Sequence, residues 1–511
     1  MKGQERLTQD ENRFDTWRKT VGFFLAPSVA FVLLLLPFPS LSPEAHRLSA
    51  VAAFVIVFWL SEAIPIPATA LLGVALAVLF GVAPAGKILP SFGDPIIFLF
   101  IGSFMLARAM QVHGVDRRIA YALLAHEWVG GSTYRTLWAL GLTAWALSMW
   151  ISNTASVAML FPVAVAITRE TGRLIIPEFA DLPDPPRLKY TTGLLIMLAF
   201  AGSVGGIATP VGTPPNLIGI ALIREGLQVR ISFFQWMMFG LPLAAMMLVS
   251  IYGIVLLLFC PEVRQVPGQI AQMRAAQRAL GPWTTGQRNS LIAFGTAVFL
   301  WIAPGLFSLF FGSNHPLTTA LAQRLPEGTV ALLAASLLFL LPTSWRRREF
   351  TLTWEDAVKI DWGTVLLFGG GIALGRMLFD TGLATAMSKG FLTALNIESP
   401  SLLTGAAALV ATLISETSSN TASASMVVPV MLSVGKVIGS TGIVLAVAGT
   451  LGASLGFMLP VSTPPNAIVY GSRAVRILDM VRAGIIIDLI GVLLVWVVAV
   501  WWVPVVLMLN R

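Results

Sequence analysis

The sequence predicts an all-α polytopic membrane protein of about eleven transmembrane helices plus two re-entrant hairpins, organised as an inverted-topology repeat. Three observations carry this. The 511 residues are 56% hydrophobic and only 11% charged, where a soluble chain carries about 25% charged residues. The pentapeptide Ser-Asn-Thr-Ala-Ser occurs twice, at 152–156 and 419–423, each time between apolar stretches. A Thr-Pro-Pro-Asn motif also occurs twice, at 213–216 and 463–466.

The first nineteen residues are hydrophilic and charged, unlike a signal peptide. Apolar runs then follow near 20–38, 46–63, 65–83, 95–112, 190–208, 234–259, 289–311, 328–342, 363–380, 441–459 and 481–508. A helix needs about 20 residues to cross the hydrocarbon layer, and the mean hydropathy of +0.81 argues against a soluble protein with buried helices. The one cysteine, Cys260, permits no intrachain disulfide and is expected as a small buried hydrophobe. The four histidines (His46, His113, His126, His315) show no metal-ligand spacing.

Basic residues set the orientation, because short cytoplasmic loops collect Lys and Arg. Clusters stand at Lys2, Arg6, Arg13, Arg18 and Lys19, then at Arg117 and Arg118, then at Arg169, Arg173, Arg187 and Lys189. Further clusters are Arg264, Arg274, Arg278 and Arg288; Arg346, Arg347, Arg348 and Lys359; and Arg473, Arg476 and Arg482. All fall inside if the N-terminus is cytoplasmic and each SNTAS region turns back rather than crossing. A full crossing at 134–172 would move the later clusters outside. The C-terminus is then expected outside, with Lys87, Arg224, Arg230 and Arg324 as the main basic residues on that face. The net charge of +8 is thus a topology signal and gives no reason to expect nucleic acid.

Three blocks repeat in one order. FLFIGSFMLARAM at 98–110 parallels LLFGGGIALGRML at 366–378, matching Phe100, Gly102, Leu106, Arg108 and Gly114 to Phe368, Gly370, Leu374, Arg376 and Gly382. SNTASVAMLFPV at 152–163 parallels SNTASASMVVPV at 419–430 with eight identities in twelve, and PVGTPPN at 210–216 parallels PVSTPPN at 460–466 with six in seven. Five crossings separate the units, and an odd number inverts the second. Inverted repeats with interrupted helices are the plan of secondary transporters.

The motifs fit that plan chemically. A hairpin tip inside a bilayer leaves backbone groups that only protein or a wet cavity can satisfy. Ser, Asn and Thr cap such ends. Helix N-termini suit a carboxylate, and freed carbonyls suit a hard cation such as Na⁺. Pro214-Pro215 and Pro464-Pro465 force interruptions, and Asn216 and Asn466 are expected to cap the second half-helix or tie the break to the hairpin. Glu416 has Met149 as its repeat counterpart and is expected as a structural acceptor holding the second hairpin, with a proton or cation site as the other reading. Arg108 and Arg376, near span ends, are expected to snorkel or cap. The run 346–349, RRRE, is expected as a topology anchor, with lipid binding the other option. Paired Ser/Thr could also be simple helix glue, but that leaves the matched pairs unexplained.

These paired motifs, in this order, closely resemble the divalent anion–sodium symporter family of dicarboxylate, citrate and sulfate transporters, over roughly 20–508. The resemblance implies a homodimer of elevator type. It implies a cytoplasmic segment at 1–19, scaffold parts at 20–130 and 289–397, transport parts at 131–260 and 398–511, and a cytoplasmic loop at 261–288. It implies at least two Na⁺ sites, one at Ser148, Ser152, Asn153 and the Gly212 backbone, the other at Ser415, Ser418, Asn420 and the backbone of Ser462 and Pro464. Substrate carboxylates would meet Asn153, Thr154, Thr213, Ser419, Asn420, Thr421 and Thr463. The implied activity is Na⁺-coupled uptake of succinate-class di- or tricarboxylates across the cytoplasmic membrane. A dicarboxylate exchanger, a proton-coupled carrier and a sulfate transporter are the alternatives on this fold. An intramembrane enzyme would need a catalytic acid pair, a Ser/His pair or a metal set at membrane depth. A channel would favour filter loops or charge rings.

Overall fold

The apolar runs fold as helices because backbone groups in lipid must pair within their own segment. The computed structural model describes residues 2–175, 188–312, 315–397, 399–440 and 442–508, with side chains described at 13 and from 15 onward, Leu395 excepted. Arg187 and the side chains of Lys2 and Arg6, assigned to basic clusters above, lie outside these residues. Among the described residues nine helices are long and apolar enough to cross a membrane. Eight of them, from Asp15–Leu35 to Ile477–Met508, coincide with runs read from sequence. The runs at 65–83, 328–342 and 441–459 appear as the shorter apolar helices Ile66–Leu79, Glu327–Leu340 and Ile443–Ala453. The ninth long helix, Pro400–Thr417, is the first arm of the second hairpin.

Each SNTAS region is a helix, a short break and a second helix. The first pairs Thr133–Ser148 with Asn153–Ile175, and the second pairs Pro400–Thr417 with Asn420–Val437. The second arms carry matching prolines, Pro162 and Pro429. The interrupted spans also match: Lys189–Gly205 resumes as Pro214–Leu227, and Ile443–Ala453 resumes as Pro464–Tyr470.

The chain forms two compact units. The first comprises Met1–Ile97, Ile218–Arg230 and Asp361–Ala453; the second comprises Phe98–Leu217, Ile231–Ile360 and Ser454–Arg511. In the first unit, a core of Leu48, Val51, Trp59, Val74, Leu374 and Met377 joins helices Pro43–Ser61, Ile66–Leu79 and Trp362–Asp380. In the second, helix Lys189–Gly205 is buried from Tyr190 to its end. That explains its uniform apolarity, since a helix hydrophobic all round is an interior one.

The repeat extends to close packing. A Cβ at Gly102 would meet the Ala331 backbone at 2.6 Å, and one at Gly370 would meet Ala70, including its backbone at 3.2 Å. Each glycine thus lets a neighbouring helix approach within its own unit, and helices Ile66–Leu79 and Glu327–Leu340 become repeat partners as well. Gly114 and Gly382 end the matched helices at φ 68° and 76°, a left-handed geometry that favours glycine. The basic 346–348 run sits in the turn of a small hairpin pairing Pro342–Ser344 with Glu349–Phe350.

Candidate functional site

In the first hairpin, Ser152 Oγ accepts from Ala155 N at 3.3 Å and so caps the second arm. In the second hairpin, Ser419 Oγ caps through Ala422 N at 3.1 Å. The serine of each motif therefore starts the second arm, and the asparagine follows as that arm's first residue. Asn153 Oδ1 accepts from Ser148 Oγ at 2.6 Å, and Asn420 Oδ1 accepts from Ser415 Oγ at 2.8 Å. Both serines are fully buried, while both asparagines are half-buried. Each tip thus places a hydroxyl and a carboxamide oxygen side by side, five residues apart in sequence.

The first tip also meets its interrupted helix within the second unit. Asn153 Nδ2 donates to Ser203 O at 3.4 Å. Thr209 Oγ1 donates to Met149 O at 2.5 Å and accepts from Gly212 N at 3.1 Å. Among the predicted residues of this repeat, Ser148, Asn153, Gly212 and Thr213 come together. A Cβ at Gly206 would meet Thr213 Cβ at 3.0 Å and Asn153 Nδ2 at 3.1 Å, and one at Gly212 would meet Gly206 O at 2.6 Å. Ser152 and Thr154 are exposed at the tip. In the first unit, the second tip is braced by Ser415 Oγ on Ala453 O at 2.8 Å and by Ser423 Oγ on Ala411 O at 2.7 Å. There Ser418 Oγ donates to Ile414 O at 2.8 Å, Thr421 is buried and Glu416 is 2% exposed.

Both breaks lie in the second unit and share a clamp. Asn216 Nδ2 donates to Gly206 O at 2.9 Å and Thr209 O at 2.7 Å. Asn466 Nδ2 donates to Gly456 O at 3.3 Å and Leu459 O at 3.1 Å. These are corresponding positions, 250 residues apart. The asparagines therefore tie the first turn of the second half-helix to the carbonyls of its own break, rather than to the hairpin. Each Oδ1 is buried and has no hydrogen-bond partner among the described residues. Thr463, extended at φ −141° and ψ 145°, caps the resumed helix through Asn466 N at 3.4 Å. Its neighbour Ser462 is buried, and Pro464 is exposed.

One expectation changes. Cys260 is exposed, because helix Phe233–Leu258 ends before it and turns Phe259 inward instead. Arg108 and Arg376 are ion-paired, to Asp356 at 3.3 Å and to Glu225 at 2.9 Å. Sequence reasoning passed over Thr209 and Asp488. Asp488 is buried inside helix Ile477–Val497, and its Oδ2 accepts from Phe457 N at 3.3 Å in the second break. The available signal was an ionisable residue within an apolar run, which marks functional positions by default.

The oxygens collected here are neutral hydroxyl, carboxamide and carbonyl groups, the donor class that hard cations take. Among the described residues no three of His, Cys, Asp or Glu group together. The family described as sodium:sulfate symporter transmembrane region matches residues 18–509. The chain is 32% identical over 502 residues to the sodium-dependent dicarboxylate transporter SdcS of Staphylococcus saprophyticus, covering 97% of this chain and 94% of that one. It is 30% identical over 491 residues to SdcS of Staphylococcus aureus strain USA300, covering 95% and 92%. Two solved transporters share the fold at low identity. The Alcanivorax borkumensis YdaH transporter has a TM-score of 0.51 at 13% identity, covering 83% of this chain and 89% of that one. Neisseria gonorrhoeae MtrF, described within a class of antimetabolite efflux pumps, has a TM-score of 0.51 at 11% identity, covering 84% and 85%. The chain belongs to the sodium:sulfate symporter family of membrane transporters.

Proposed function

We propose that this protein couples Na⁺ to uptake of di- or tricarboxylates of the succinate, fumarate and malate class. The observation that carries the reading is the recurring Ser–Asn oxygen pair, Ser148 with Asn153 and Ser415 with Asn420. Each pair brings two neutral oxygens together beside a helix start. Ser152 and the Gly212 carbonyl would complete the first Na⁺ site. Ser418 would add a further hydroxyl to the second, and the backbone of Ser462 and Pro464 remains the carbonyl source that the resemblance implies. The sodium-dependent dicarboxylate relatives support both the ion and the substrate class.

Neutral ligands leave a bound Na⁺ with its charge, so cation binding creates attraction for a dianion. That is the electrostatic basis for coupling: the substrate binds better once the cations are present, and the linkage is reciprocal. Thr154, Thr213, Ser419, Thr421 and Thr463, with Asn153 and Asn420, are the substrate contacts in this reading. The protein works in the cytoplasmic membrane as a homodimer by an elevator movement. Its N-terminus is inside and its C-terminus outside, with scaffold parts at 20–130 and 289–397 and transport parts at 131–260 and 398–511.

Radiolabelled succinate uptake into proteoliposomes tests this, with Na⁺ outside, choline outside, or unlabelled dicarboxylate inside. Uptake that requires the Na⁺ gradient is expected. Uptake driven equally by internal dicarboxylate with choline outside would make the protein an exchanger. No succinate uptake alongside Na⁺-driven sulfate uptake would move the substrate assignment.

A further inference from the structure

In the second unit, three spans end together: Lys189–Ala208 and Ile477–Met508 begin, and Phe233–Leu258 finishes, around one cavity of about 350 Å³. Three cations line it, Lys189, Arg476 and Arg482, against one carboxylate, Asp479. Asp479 is engaged by Arg476 Nε at 2.9 Å. Lys189 and Arg482 form no ion pair among the described residues. Glu262 accepts from the Lys189 and Tyr190 backbone at 2.5 and 3.1 Å and forms no ion pair with the cleft's side chains among the described residues. Among the described residues the cavity therefore offers two cations without an ion-pair partner where three span ends meet.

The surroundings select the kind of anion. Leu257 and Leu478 are 79% and 65% exposed, and Ile485, two turns beyond Leu478, is 43% exposed. These residues continue the cleft's own helices as an apolar surface. A soluble protein seldom leaves such residues bare together, whereas a lipid tail covers them. We propose that the cleft holds the phosphate headgroup of an anionic phospholipid. Lys189 and Arg482 face the phosphate, and an acyl chain lies along Leu257, Leu478 and Ile485. Basic pockets between membrane helices bind anionic headgroups by this pairing of charge with depth. The inference is independent of which anion the protein carries.

Native mass spectrometry of the detergent-released protein tests the site with three probes: phosphatidylglycerol, phosphatidylcholine and inorganic phosphate. The wild type should retain phosphatidylglycerol and shed phosphatidylcholine. One cationic side chain near an anionic surface contributes about fivefold in binding, so the Lys189→Gln/Arg482→Gln variant should bind phosphatidylglycerol roughly 25-fold more weakly. Arg482→Lys, which keeps the charge, should stay near wild type. Equal retention of the two lipids by the wild type, or undiminished retention by the double variant, overturns the proposal. Displacement of phosphatidylglycerol by millimolar inorganic phosphate would assign the cleft to a free anion instead. If the double variant does not fold, the wild-type lipid comparison still decides.

Discussion

Gly206→Ala tests whether the Asn153 carboxamide is a cation ligand. The new methyl would fall inside van der Waals contact with Asn153 Oδ1, and would lie 3.1 Å from Nδ2 and 3.0 Å from Thr213 Cβ. Comfortable separations start near 3.5 Å, so the carboxamide must withdraw by about 1 Å at its oxygen end. The nearest obstacle is the free end of a side chain on a half-buried residue, and Thr213 Cβ need give only a few tenths of an ångström, so the fold tolerates the change. The ligand geometry does not. Losing one well-placed hydrogen-bonding group to a charge costs about 1.5–3 kcal/mol, which is roughly 10- to 100-fold in affinity. The assay is the Na⁺ dependence of succinate uptake by purified protein in proteoliposomes. The half-saturating Na⁺ concentration should rise at least about tenfold, with thermal stability close to wild type. Gly205→Ala is the contrasting control. Its methyl would run into the Trp145 backbone, which cannot step aside, so this variant should lose stability. A Gly206→Ala protein with wild-type Na⁺ dependence would refute the placement of a cation beside Asn153.

Asn153→Ala and Asn420→Ala should each abolish Na⁺-driven uptake while leaving the purified protein folded; normal uptake by both would sink the site assignment. Asn216→Ala strips the donor from two buried break carbonyls, Gly206 O and Thr209 O. Thr209 O keeps the Gly212 amide at 3.4 Å. At about 1–3 kcal/mol for an orphaned buried group, the variant's thermal unfolding should move clearly downward, and a wild-type melting curve would remove the clamp from the account. Gly114→Ala and Gly382→Ala meet no atom within 4 Å, so any cost is purely that of the left-handed backbone, about 1–2 kcal/mol. Unchanged stability in both would show that these turns relax freely. Asp356 is held below the usual carboxylate range, first by Lys359 and then by Arg108. A depressed carboxylate stabilises the fold above its unfolded pKa and loses that contribution as pH falls through the folded one. The acid-side loss of stability should therefore be shallower in Asp356→Asn than in wild type, as differential scanning fluorimetry across pH would read.

Much of this architecture was visible in sequence because hydropathy and proline act locally. A twenty-residue apolar run is a helix wherever it lies, and Pro214-Pro215 ends one whatever surrounds it. The two tips were visible because the same five residues occur twice. What stayed hidden depends on distant partners. Arg108 reads as a span-end arginine until folding brings Asp356 to it from 248 residues away. Thr209 was invisible for the opposite reason: its repeat counterpart is Leu459, so comparison of the halves passes over it. Asp488 was lost within a run whose average hydropathy swamps one carboxylate. Cys260 sits one residue past Phe259, and composition does not say which of two neighbours a helix end turns outward.

The differences between the halves bear on what the likenesses mean. The first break winds through a short 3-10 turn at Gly206–Ala208, which Trp236 Nε1 closes by donating to Ile207 O at 3.0 Å. The second opens at Gly456 with φ 149°, and the Phe457 amide goes to Asp488. The first tip is tied through Thr209 to Met149, the second through Ser415 to Ala453. Bracing is thus solved separately in each half, with different residue types at positions that do not correspond. Packing alone would let the tip and clamp residues diverge in the same way. They do not: Ser148 and Asn153 recur as Ser415 and Asn420 with the same atoms bonded, and Asn216 recurs as Asn466 on corresponding carbonyls. A geometry that is repeated atom for atom while its supports vary is set by something other than the supports. In the proposed reading, a small cation taking neutral oxygens in the same way in each half would impose that constraint.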